Sequence, residues 1–83
     1  MSSYWFCPCI ACDGQGRLVI QRDIKTGRLF LHCDECLRSW DNPRDVNDRK
    51  KCHPDLRENY EEIDLPEIQR MGWGGYAKHL YEK

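Results

Sequence analysis

Cys9-Ile-Ala-Cys12 and Cys33-Asp-Glu-Cys36, separated by twenty residues, are the stretches whose reading decides the fold of this chain. A Cys-x-x-Cys pair can turn two thiolates toward one point. Two such knuckles joined by about 15–20 residues supply the four sulfurs of a tetrahedral zinc site. Cys9, Cys12, Cys33 and Cys36 are therefore the expected ligand set. Four protein ligands leave no open position for water or substrate, so the expected role of this one Zn2+ is structural, not catalytic.

The residues around the knuckles extend the pattern into a zinc ribbon. Asp13-Gly14-Gln15-Gly16 follows the first pair, and its glycines can take positive φ and turn backbone amides toward the sulfurs. Residues 17–22 and 28–32 are short β-prone runs. They are separated by Asp23-Ile-Lys-Thr-Gly27, a loop of hairpin length, and the second run leads straight into Cys33. Asn42-Pro43 marks a turn that closes the ribbon. Beyond it, Pro54-Asp55 can open a helix carrying Leu56, Tyr60 and Ile63 at helical spacing. Asp64 and Pro66 can start a second, running through Ile68 to Met71 and stopping at Gly72. Tyr76, Ala77, Leu80 and Tyr81 suggest a third. The expected fold is a small α+β domain, 1–83: a zinc ribbon over 1–40, a charge-dense junction over 41–53, and a helical extension over 54–83.

At 83 residues, 33% of them charged, with a mean hydropathy of -0.84, the chain has little apolar material for a core. Domains this small usually depend on a staple. Six cysteines could also form three disulfides. However, Met1-Ser-Ser-Tyr-Trp-Phe-Cys7 carries neither a basic segment nor an apolar run of the kind that directs secretion. A reduced, cytoplasmic setting is expected, and no apolar stretch approaches the ~20 residues of a membrane span. Net charge is -1. Residues 1–40 hold five basic and four acidic side chains, and residues 41–83 hold eight and ten. That balance disfavours nucleic acid as the principal partner.

Other candidates compete for roles. Cys7 could replace Cys9 as a ligand or remain a buried thiol beside the site. Cys52-His53 and His79 could contribute to a second site, though their spacing follows no metal pattern. His32 could stand in for a cysteine or simply lie on the strand. Tyr4, Trp5, Phe6, Phe30 and Trp40 are candidates for the apolar shell over the metal, or for contact with a partner. Glu58, Glu61, Glu62, Asp64 and Glu67 form an acidic stretch suited to a solvated helix face or to a basic partner. The chain has no Gly-x-Ser-x-Gly, phosphate loop or His-Glu-x-x-His, so no enzyme is expected.

Two resemblances follow from these motifs. Cys9-Ile-Ala-Cys12-Asp-Gly14-Gln-Gly16 resembles one copy of the Cys-x-x-Cys-x-Gly-x-Gly element in the zinc region of J-domain co-chaperones. That element implies zinc binding; the second pair lacks the glycines. The N-terminal knuckle, Cys33-Asp-Glu-Cys36-Leu-Arg-Ser-Trp40 and the tail Gly75-Tyr76-Ala-Lys-His-Leu80-Tyr81 together resemble small zinc-ribbon proteins among bacterial toxin-immunity genes, including those of contact-dependent inhibition. This second resemblance implies a non-catalytic, zinc-stabilised protein-binding module that neutralises a toxin, the partner being a basic toxin or nuclease domain. The alternative is a nucleic-acid-binding zinc ribbon, with Arg17, Arg22, Lys25 and Arg28 on or near the hairpin.

Overall fold

In the computed structural model, residues 3–54 and 59–81 are described. Among them lie seven strands and one α-helix: β1 (Ser3–Pro8), β2 (Arg17–Asp23), β3 (Leu29–Cys33), β4 (Arg38–Trp40), β5 (His53–Pro54), β6 (Tyr60–Glu62), α1 (Leu65–Arg70) and β7 (His79–Tyr81). The strands form one antiparallel sheet in the order β5-β4-β3-β2-β1-β7. β6 pairs with the second half of β2, on the edge whose first half is taken by β1.

The β2–β3 hairpin is the centre of the sheet, as its residues suggest. Leu18 lies opposite Cys33 and Ile20 opposite Leu31, while Val19 faces His32 and Gln21 faces Phe30. Successive side chains alternate between faces. Leu18, Ile20, Leu31 and Cys33 therefore share one face and Val19, Gln21, Phe30 and His32 the other. Gly27 closes the loop at φ 75, where its N–H donates to the Asp23 carbonyl at 2.7 Å. The Asp23 carboxylate accepts the Lys25 N–H at 2.9 Å.

The first face carries the core. Leu18, Ile20, Leu31 and Trp40 are covered by Val46, Ile63 and Ile68, the last from α1. Trp40 is 0% exposed, and its indole N–H donates to the Asp48 carbonyl at 3.2 Å. Phe30 is also buried, whereas Tyr4, Trp5 and Phe6 are half-buried. The junction is structured. Asn42 and Asp48 side chains cap two short 3-10 turns, Pro43–Asp45 and Arg49–Lys51, and Pro43 and Val46 are buried between them and the sheet.

The expected helical extension is mostly strand. α1 forms where expected, begun by Asp64 with Pro66 in its first turn and ended before Gly72 at φ 82, although the Asp64 side chain makes no capping bond. The helix expected from Pro54 to Ile63 does not form. Pro54 belongs to β5 and Tyr60–Glu62 to β6; Leu56 lies outside the described residues. β2 offers an open edge, and pairing there also joins Arg22 to Glu61. Helical spacing of Tyr60 and Ile63 is outweighed by that non-local pairing, a common tertiary override of local propensity. The third helix is likewise replaced: His79–Tyr81 pairs with β1 after a 3-10 turn at Gly74–Tyr76.

Candidate metal centre

The four expected cysteines come together where β1 and β3 end and β2 begins. All four sulfurs lie within 4.8 Å of one another. Cys9 Sγ is 3.7 Å from Cys36 Sγ, and Cys12 Sγ is 3.7 Å from Cys33 Sγ. Two thiolates ~2.3 Å from a tetrahedral zinc stand about 3.8 Å apart, so these separations fit such an ion. They are far too long for a disulfide, and all six cysteines are free. The three-disulfide alternative is overturned.

The backbone holds each knuckle the same way. After Cys9-x-x-Cys12, Asp13 takes φ 57; after Cys33-x-x-Cys36, Leu37 takes φ 56. Each left-handed residue turns the chain back toward the sheet. Cys33 Sγ accepts the Glu35 and Cys36 N–H groups at 3.4 Å, and Cys12 Sγ accepts the Gly16 N–H at 3.2 Å. Gly14 N–H to the Cys9 carbonyl and Cys9 N–H to the Gly16 carbonyl lock the first loop. The two glycines have different tasks. Gly14 supplies positive φ (82), whereas a Cβ on Gly16 would lie 2.3 Å from Cys33 Sγ. Gly16→Ala is therefore expected to weaken zinc binding about 10–100-fold, the usual cost of disturbing groups that orient metal ligands. Competition with a chromophoric chelator measures this; Gly14→Ala, with open space to Pro8 Cβ at 3.9 Å but φ 82, should instead cost about 1–2 kcal/mol of stability from backbone strain.

Cys9 and Cys33 are 0% exposed, and burial pushes the Cys9 thiol up to about 11 and that of Cys33 higher still. Burial also raises Cys12, but the Gly16 N–H and the neighbouring sulfurs outweigh it and bring that thiol below its ordinary value. Thiolates at the buried positions thus need a cation, and metal uptake must release protons. Leu37 is 63% exposed in a conformation that costs a side-chain-bearing residue ~1–2 kcal/mol. Leu37→Asn should stabilise the metal-loaded protein by about 1 kcal/mol, seen as a higher thermal midpoint, since asparagine tolerates that conformation.

The other candidates lie apart from the sulfur cluster. Cys7 is on β1, half-buried, its thiol raised by burial. Cys52 Sγ donates to the Arg49 carbonyl at 3.0 Å, and His53 Nε2 faces Asp41 Oδ2 at 3.2 Å. His32 is on β3 with its ring 5.4 Å from that of Tyr60, and His79 stacks on Trp5 at 4.2 Å. Of the two roles expected for Trp40, its place in the buried cluster with Cys9 and Cys33 selects the shell and not the partner contact. The acidic stretch is not one helix face: Glu61 and Glu62 lie on β6, Asp64 precedes α1 and Glu67 is on it, Glu61 and Glu67 engage Arg22, and Glu58 lies outside the described residues.

A second feature escaped the sequence reading. The sheet face away from the core carries Trp5, Val19, His32, Tyr60 and Tyr81, and between the two tyrosines runs a groove of about 300 Å³ lined also by Gln21 and Asp34. Tyr81 donates its hydroxyl to Asp34 Oδ2 at 2.8 Å; burial and then this carboxylate raise the phenol above its ordinary value. The Arg17 guanidinium lies 5.4 Å from the Trp5 ring and 5.9 Å from Tyr81. Alternation along residues 17–21 and 30–34 was the available signal for this face; the arrival of Tyr60 and Tyr81 was not readable. Among the described residues no helix is long and apolar enough to cross a membrane. No family model matches this chain, and neither the curated proteins nor the solved structures compared with it gave a match.

Proposed function

We propose that this chain is a zinc-stabilised, non-catalytic module that binds another protein in the cytoplasm, in its specific form an immunity protein that neutralises a cognate bacterial toxin. The observation that carries the reading is the division of labour between metal and surface. Four cysteine sulfurs meet at tetrathiolate spacing with Cys9 and Cys33 fully buried, an arrangement suited to holding the sheet rigid. The aromatic side chains left accessible stand on that rigid sheet, so little ordering cost opposes association. The test is affinity capture by the metal-loaded chain of a panel of basic toxin and nuclease domains, starting with those encoded beside its gene. A stoichiometric complex that abolishes toxin activity supports the immunity form; no complex with any of them overturns it.

The second reading, a nucleic-acid-binding ribbon, draws on the same aromatic face and on the exposed Lys25 and Arg28 of the hairpin. Arg22 is already held by Glu61 and Glu67, which weakens it. Binding to mixed DNA and RNA at low salt, where phosphate affinity is greatest, tests this reading directly.

A further inference from the structure

We propose that the groove between Tyr60 and Tyr81 receives an arginine or lysine side chain from a basic protein partner. This inference rests on the protein-binding reading and gives the partner's contact a chemistry. Tyr81 sits on β7, yet its hydroxyl reaches Asp34 at the end of β3, so its ring crosses the sheet toward β3. Tyr60, on β6, sets its ring edge-on to Phe30 at 5.9 Å and beside His32 at 5.4 Å. Val19 and Phe30 are 2% and 1% exposed although they lie on the face away from the core. Between the two rings a slot is left with Val19 and Gln21 along it and the Asp34 carboxylate at one end.

The chemistry of that slot selects a cation. Aromatic faces attract guanidinium and ammonium groups, and a carboxylate beside them adds a charge-assisted hydrogen bond. Asp34 already accepts the Arg17 N–H at 2.8 Å and the Tyr81 hydroxyl, so it is fixed in place. By register Glu62 lies opposite Gln21 and Asp23 opposite Tyr60, which puts two more carboxylates on the same face. Two basic side chains are near: Arg17 lies against the Trp5 and Tyr81 rings, and His32 lines the groove beside Tyr60. Excess negative charge repels phosphates, so the groove disfavours a nucleic-acid strand despite its aromatic walls. At about 300 Å³ it sits at the lower limit of small-molecule pockets, a size suited to one long side chain.

The test is an amide NMR titration of the ¹⁵N-labelled, zinc-loaded chain with a capped hexa-arginine peptide and, separately, with oligothymidylate. The peptide should move the Val19, Gln21, His32 and Tyr60 resonances. Asp34→Asn and Tyr60→Leu should each weaken it about tenfold, while Asp13→Asn, an exposed acid on the first knuckle, should leave its affinity unchanged. Spectral dispersion and zinc content establish that each variant is folded, and either of the two groove variants suffices. No shifts, shifts elsewhere, or equal sensitivity to Asp13→Asn overturn the groove and leave the protein-binding reading to its own capture experiment. Stronger movement of the same resonances by oligothymidylate overturns both.

Discussion

Removing the metal should unfold this protein. With zinc bound and cysteines kept reduced, the chain is expected to give a dispersed amide spectrum; excess chelator should collapse it, and added zinc should restore it. The reason is the position of the sulfurs. Cys9 and Cys33 belong to the same buried cluster as Leu18, Leu31 and Trp40, and Cys33 ends a central strand. Structural zinc contributes ~10–16 kcal/mol in small metal-dependent folds. Whole domains are stable by only ~5–15 kcal/mol. A core of this size cannot offset that loss. A chelated, reduced chain that keeps its dispersion would falsify the structural role, because the sheet would then be self-sufficient.

The second large effect concerns Trp40. Trp40→Ala is expected to destabilise the zinc-loaded protein by ~3–5 kcal/mol, the cost of emptying a buried aromatic site. Its side chain lies opposite Leu31 across β3–β4, and its indole N–H reaches the Asp48 carbonyl, tying the 3-10 turns to the sheet. Trp40→Phe keeps most of the volume and loses that hydrogen bond, so a smaller cost is expected, of which about 1 kcal/mol comes from the bond itself. Denaturant midpoints at fixed free zinc measure both. A Trp40→Ala protein of unchanged stability that loses its partner would make this residue an interface anchor, contrary to its complete burial.

Both experiments separate scaffold from surface. If the metal and Trp40 hold the fold, changes at Tyr60 should alter recognition with little effect on stability, whereas Asp34, which accepts the Arg17 N–H and the Tyr81 hydroxyl, should also cost about 1 kcal/mol when a hydrogen bond is lost. Exposed or half-buried positions away from special backbone conformations usually change stability by under ~0.5 kcal/mol. The two kinds of residue can thus be distinguished by measuring midpoint and affinity on the same variants.

The sequence by itself determined the four sulfurs, the hairpin between them and the short helix at Leu65–Arg70. These are local matters: a Cys-x-x-Cys turn, a strand-loop-strand alternation and a Pro-to-Gly helix carry their instructions within a few residues. Only the tertiary structure decided the rest. Tyr60–Glu62 and His79–Tyr81 become strands because β2 and β1 offer unpaired edges, and no spacing within those segments announces a partner so far away in the chain. Trp40 stood between the shell over the metal and contact with a partner until β4 turned it inward. Tyr60, Tyr81 and Asp34 had no visible connection until β6, β7 and the turn after β3 brought them to one face. The sulfur cluster was legible because Cys-x-x-Cys spacing announces it; the groove was not, because its shape is a property of the sheet.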